Sequence, residues 1–209
     1  MKVTLLVPIS GLDGAAVEQR LVFLRSIAAP GTTVDYIQVR DGPPAIECEV
    51  DHVLASAEVC KVVRKAEDAG AEAVIIWCAG DPGLDAARTM VDIPVIGPGE
   101  SMRMLAGMLG KRVAAVAAPL PVLELRKDLN MTKELVMDRI DALVGEGYDS
   151  FYLDCLGLFG LGRPIRETSG LPVVDPAEAS LKVAEAAIQL GLRHSRVAYP
   201  KYPPVHRRP

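Results

Sequence analysis

Aromatic residues are scarce in this chain: Phe, Tyr and Trp together make up 4% of its 209 residues. That scarcity argues against an aromatic-rich β-sandwich, because the small aliphatic residues found instead suit close helix-on-sheet layers. Positive charge is not in excess either, with a formal net charge of −4 and a pI near 5.5. No global field attracts nucleic acid or an anionic membrane surface, so neither is an expected partner. No apolar run approaches the ~18–20 residues that cross a bilayer. The first such run, Lys2–Val7, is too short for a signal peptide and reads as a strand. A cytoplasmic location is expected, with the four cysteines at 48, 60, 78 and 155 kept reduced. None of them stands in a CxxC pair, and no metal site is expected.

What is present is enough apolar material for a core: half the residues are hydrophobic. Short β-branched or continuously apolar runs alternate with helix-period segments. Strands are predicted at Lys2–Val7, Val34–Val39, Ala73–Trp77, Pro94–Ile96, Arg112–Ala117, Ser150–Asp154 and Val173–Val174, with helices between them. This alternation predicts an α/β fold with parallel sheets and right-handed crossovers. The stretch from Leu192 to Pro209 has five Lys or Arg, no acid and four prolines. It is expected to wrap over the surface or lack order in part, with His194 and His206 facing solvent.

The most informative feature is an internal repeat. The segment from Gly70 to Leu84 aligns without gaps on Gly147 to Leu161, at an offset of 77 residues. After one inserted residue, Ile93–Glu100 aligns with Leu171–Glu178. Each copy reads as strand, Cys-x-Gly loop, helix, Pro-Val strand and a helix start carrying Glu. Cys78 and Cys155 therefore occupy equivalent places, where a parallel strand ends. Ligands of open α/β sheets bind at such ends, and two facing units put one thiol on each side of a shared cleft.

The other candidates weigh less. A free cysteine is most often a small core residue, and Cys48 and Cys60 are read that way. Met102, Met104 and Met108 are read as core or lobe-interface packing on one helix. Glu100 and Glu178 suit the positive ends of their helices, and Asp81 reads as a turn former able to tune Cys78. The pair Cys78 and Cys155 fits acid/base work on a carbon acid: one thiolate removes a proton and the other thiol returns one on the opposite face. Free N–H groups after each cysteine would hold the oxygens of the intermediate. The scheme needs no cofactor.

These residues carry a resemblance to the aspartate/glutamate/hydantoin racemase superfamily, most of all to its hydantoin-racemase-like branch. The matching text is Asp41-Gly-Pro-Pro-Ala-Ile-Glu47, Trp77-Cys78-Ala-Gly80-Asp81-Pro82-Gly83 with the residues through Arg88, Val95 to Glu100, Cys155-x-Gly157, and Leu190 to Pro200. The resemblance implies two pseudo-symmetric parallel-sheet lobes with the site between them. It also implies cofactor-independent racemisation of a small molecule such as a hydantoin, allantoin or an amino acid. On this sequence Cys78 and Cys155 become the acid/base pair, and Ala79, Gly80, Leu156 and Gly157 bind the substrate's polar groups. Asp81 joins them, and Ser10 stands as the side-chain donor of the first loop, where relatives commonly have Asn. The first lobe is expected at 1–101 and 176–209 and the second at 102–175, in a chain that forms a homo-oligomer.

The lobes are not equal. About 70 residues separate Val7 from Cys78, whereas 37 lie between Ala117 and Cys155. The second lobe is therefore expected to be smaller by one helix–strand unit. The loop after its first strand, Ala117-Ala118-Pro119-Leu120-Pro121, has no hydroxyl. Two other readings compete: a related isomerase or decarboxylase using one cysteine, and a ligand-binding or oligomeric protein without catalysis.

Overall fold

The computed structural model describes residues 1–203; His206 lies outside them. Four strands, β1 (Lys2–Val7), β2 (Thr33–Gln38), β3 (Ala73–Ile76) and β4 (Val95–Ile96), form a parallel sheet in the order β2-β1-β3-β4. Three more, β5 (Val113–Val116), β6 (Ser150–Leu153) and β7 (Val173–Val174), form a second parallel sheet in the order β5-β6-β7. Helices α1 (Gly14–Ile27), α2 (Glu49–Asp68), α3 (Leu84–Met90) and α4 (Pro98–Leu109) follow the strands of the first sheet. Helices α5 (Leu129–Gly145), α6 (Gly162–Ser169) and α7 (Pro176–Gln189) follow those of the second. The second sheet lacks the counterparts of α1 and β2, the unit that its shorter length predicts to be missing.

Strand alternation explains the layering. Val3, Leu5 and Val7 of β1 face a core shared with α1, α4 and α7, while Leu6 on the opposite side packs against α2 and α3. Both faces of the first sheet are covered at its centre, so β3 is apolar at every position, while the edge strand β2 carries Asp35 and Gln38. In the second sheet Phe151 and Leu153 face α5 and α6. Val113, Tyr152 and Val174 turn to the core that contains the first sheet, so one apolar layer runs between the sheets.

Two glycines show how closely the repeat is kept. Gly70 and Gly147 end α2 and α5 with φ of 84° and 88°. In each case the next residue's N–H reaches back five positions, Ala71 to Ala66 and Tyr148 to Leu143. A side chain at that φ is strained, whereas glycine closes the helix at no steric cost.

The repeat also extends to side chains. Arg88 donates to the Val95 carbonyl and pairs with Glu100. Arg166 donates to the Val173 carbonyl and pairs with Glu178. Glu100 and Glu178 are thus half of an arginine clamp across each βα turn.

The basic segment after α7 lies over the first sheet's edge. Arg196 donates to the carbonyls of Arg88 and Val91, and Tyr202 donates to that of Thr89. His194 does not face solvent as expected. It is half-buried, and its Nε2 accepts from the Val95 N–H at 2.8 Å. Burial and the neighbouring Arg88 charge hold its pKa below the ordinary histidine value.

Candidate active site

The two repeat cysteines are placed by matching backbone bonds. Trp77 extends β3 by donating to Leu6 at 2.8 Å, and Asp154 extends β6 by donating to Val116 at 2.9 Å. Each cysteine follows at once, and its carbonyl accepts from the residue three further on, Asp81 or Leu158. The glycine N–H two places on donates to the sulfur: Gly80 to Cys78, and Gly157 to Cys155 at 3.4 Å. Gly157 has no room for a side chain, since a Cβ there would stand 2.6 Å from the Leu125 side chain.

Both cysteines line one cavity of about 190 Å³ between the sheets. The first sheet's side supplies Ile9, Leu12, Arg20, Ile46 and the segment Trp77 to Gly80; the second supplies Val122 and the segment Asp154 to Gly157. The volume is below the ~300–1,000 Å³ of sites for drug-sized ligands, so a small molecule fits. A larger groove of about 320 Å³ between α4 and α7 contains no cysteine.

Ala79, Gly80, Leu156 and Gly157 are where the resemblance puts them, on the cavity wall. Two other candidates lie elsewhere. Ser10 is exposed and donates to the Gly42 carbonyl at 2.7 Å, away from the cavity lining. Asp81 is also outside the lining. Its φ of 53° is the only positive one at a non-glycine residue among those described. That backbone turns its carboxylate to the start of α4, where it accepts from the Gly99 and Glu100 N–H groups at 2.8 Å each. Asparagine and aspartate tolerate this region best. Cys48 is exposed rather than core, and Cys60 is half-buried. Met102 is buried as expected, but Met104 and Met108 are 52% and 76% exposed.

Burial changes the thiols' acidity. It pushes Cys78 up to about 12, against the pull of the Gly80 N–H, and with Cys155, Asp81 and Asp154 adding to the rise. Burial raises Cys155 as well, but the Gly157 N–H and the Arg20 charge oppose the shift there. Both thiols are therefore protonated at neutral pH, and the positive charge of Arg20 acts on Cys155. Alkylation of Cys78 and Cys155 by iodoacetamide should rise about tenfold per pH unit from 7 to 9 without a plateau. Exposed Cys48 should react first and Cys155 before Cys78, as read by peptide mass mapping.

Sequence reasoning missed Arg20, Trp77 and Asp154 in the cavity wall. It also missed His52 of α2, whose Nε2 lies 2.9 Å from the Gly80 carbonyl and steadies the Cys78 loop. Phe159, just beyond the Cys155 turn, packs on Phe23 and on Trp77 of the cavity wall, at centroid distances of 5.4 and 5.7 Å. Three of the chain's nine aromatics thus meet between the lobes. Among the described residues, no group of three or more His, Cys, Asp or Glu is placed to hold a metal ion.

Comparison with known proteins agrees with this geometry. The family described as Asp/Glu/Hydantoin racemase matches residues 18–119. A hydantoin racemase of Pseudomonas sp. (strain NS671) is 29% identical over 207 residues, covering 86% of this chain and 83% of that protein. A hydantoin racemase of Paenarthrobacter aurescens is 28% identical, covering 82% of this chain and 85% of that one. The solved structure of allantoin racemase from Klebsiella pneumoniae superposes with a TM-score of 0.88 at 29% identity, over 96% of this chain and 94% of that one.

Proposed function

We infer, from the chain's membership of the Asp/Glu/hydantoin racemase family, that it is a cofactor-independent racemase or epimerase in which Cys78 and Cys155 are the acid/base pair. Its substrates are small carbon acids, with 5-substituted hydantoins and allantoin first among them and amino acids after. The observation that carries the reading is the meeting of two repeat-related thiols at one small cavity.

In this mechanism one cysteine, as thiolate, takes the proton from the stereogenic carbon. The other, as thiol, returns a proton on the opposite face, and the two exchange roles for the reverse direction. Cys155 is a thiol at rest and acts as the base after losing its proton to solvent, a loss that Arg20 and two backbone N–H groups favour against burial. The N–H groups of Ala79 and Leu156, which take no part in the backbone bonding of their turns, are free to meet the enolate oxygen. Such donors are worth most where water is excluded. The ring carbon of a hydantoin is a stronger acid than the α-carbon of a free amino acid, which suits thiols of this basicity.

We place the first lobe at 1–101 and 176–203 and the second at 102–175; the rest of the expected first lobe, 204–209, lies outside the described residues. Exposed Met104, Met108 and Leu109 on α4 are consistent with assembly of identical chains.

The test is optical. L-5-substituted hydantoins, allantoin and amino acids in D₂O should lose rotation with the protein present, with deuterium entering at the stereogenic carbon. Silence of the wild type toward all three classes would sink the reading.

A further inference from the structure

Arg20 is a polar side chain of the cavity wall that makes no ion pair among the described residues. It is 5% exposed, and its NH1 donates to the Ala16 carbonyl at 2.6 Å. Its Nε is buried without a partner. Among the described residues no carboxylate comes within ion-pair range of it. Asp13 acts on it only at longer range and is already engaged in capping α1, where it accepts from the Ala16 N–H. Asp154, the acid of the cavity wall, answers instead to Arg103.

A second cation makes the position less favourable still. Arg126 stacks on the Phe159 ring at 3.6 Å, while Arg20 lies 5.4 Å from the same centroid. The Nε of Arg126 is also buried without a partner. Burial, and then repulsion from Arg126, lower the Arg20 pKa to about 10. A desolvated charge without a counter-ion is costly, and two around one ring are more so. The face of Phe159 and the Ala16 carbonyl offset part of that cost; a small anion entering the cavity would offset the rest. The loop after β5 contributes only apolar Val122 to the wall, so no hydroxyl competes for the role.

We propose that Arg20 is the anion anchor of the cavity, and that among small carbon acids the protein prefers one carrying a carboxylate, such as a hydantoin with an acidic side chain, which the Arg20 guanidinium holds beside Cys155. The term substrate rests on the racemase reading; the anchor itself does not. A guanidinium offers paired donors that match a carboxylate's two oxygens. The protein therefore prefers an acid to its isosteric amide.

Iodoacetate and iodoacetamide differ in that group alone and report on Cys155 directly. Their rate ratio at Cys155 should favour iodoacetate by about tenfold or more relative to the ratio at exposed Cys48 of the same protein. Arg20→Met should bring the Cys155 ratio down to the Cys48 value, and Arg20→Lys should keep part of it. Taking the ratio cancels any change in thiolate fraction, which a merely structural arginine would alter for both reagents alike. Equal ratios at Cys155 and Cys48 in the wild type, which needs no variant to fold, would overturn the proposal; so would an unchanged ratio in folded Arg20→Met. A second arm compares deuterium exchange into 5-carboxymethylhydantoin and its primary amide. An iodoacetate preference without exchange into any substrate leaves the anchor standing and removes the racemase reading. Exchange with no acid preference in either arm does the reverse.

Discussion

Cys155→Ser and Cys78→Ser should each lower racemisation, in both directions, by about 10²–10⁴-fold. That range is what general acid–base catalysis supplies, and a serine hydroxyl is too weak an acid and base to replace a thiol. The substitution removes little volume, so melting temperatures should stay within a few degrees of the wild type. The two variants should not be equivalent, however. With one thiol left, a proton can still leave and return on a single face. Each variant should therefore exchange solvent deuterium into one enantiomer with retention, and the two variants should select opposite enantiomers. Polarimetry together with proton NMR in D₂O reads both effects. Racemisation within tenfold of wild type in either variant would rule out the two-thiol mechanism, and exchange into the same enantiomer by both would rule out opposed faces.

That experiment rests on two residues that were legible before any coordinates. Cys78 and Cys155 stood out because an offset of 77 residues is a local property, readable by laying one stretch of chain on another. The strands were legible for the same reason: Ala73–Ile76 is apolar at every position because both of its faces are covered. The smaller second sheet could be read from length alone. Arg20 could not. Nothing in Gly14-Ala-Ala-Val-Glu-Gln singles out the arginine that follows, which is buried in the helix and lies 5.4 Å from the Phe159 ring of the other lobe. Ser10 and Asp81 failed in the opposite sense. They stand in the right loops, but their side chains are drawn away by Gly42 and by the start of α4. Side-chain direction in a loop is decided by such distant partners, which spacing does not reveal. His194 was misplaced for a similar reason, since its partner Val95 is far away in sequence.

The largest effect on stability should come from Asp175. Its Oδ2 accepts from the Gly160 and Gly162 N–H groups at 2.7 and 3.1 Å, and its Oδ1 from Ala177 and Glu178 at 2.9 and 3.3 Å. One buried carboxylate thus caps α7 and ties down the chain just after the Cys155 turn. Asp175→Ala removes a cap worth about 1 kcal/mol. It also leaves the Gly160 and Gly162 donors without a partner, at about 1–3 kcal/mol each. A total of about 3–7 kcal/mol is expected, which for a chain of this size is a fall in melting temperature of roughly 10–20 °C. Asp175→Asn should do little better, because its amide nitrogen would face two donors in place of an acceptor. The first lobe meets the same need differently. Position 97, which the repeat pairs with Asp175, is glycine, and Asp81 reaches across from the Cys78 loop to hold the start of α4. The two arrangements exclude each other, since a Cβ on Gly97 would stand 2.7 Å from the Asp81 carboxyl carbon. Asp81→Ala removes bonds to two N–H groups, one of them exposed, and an ion pair with half-exposed Arg103 at 3.6 Å, so the lost contacts should cost about 1–2 kcal/mol, with about 1 kcal/mol more for alanine at that positive φ. A fall as large as that of Asp175→Ala would show that the two carboxylates do equal work, contrary to the bonds each makes.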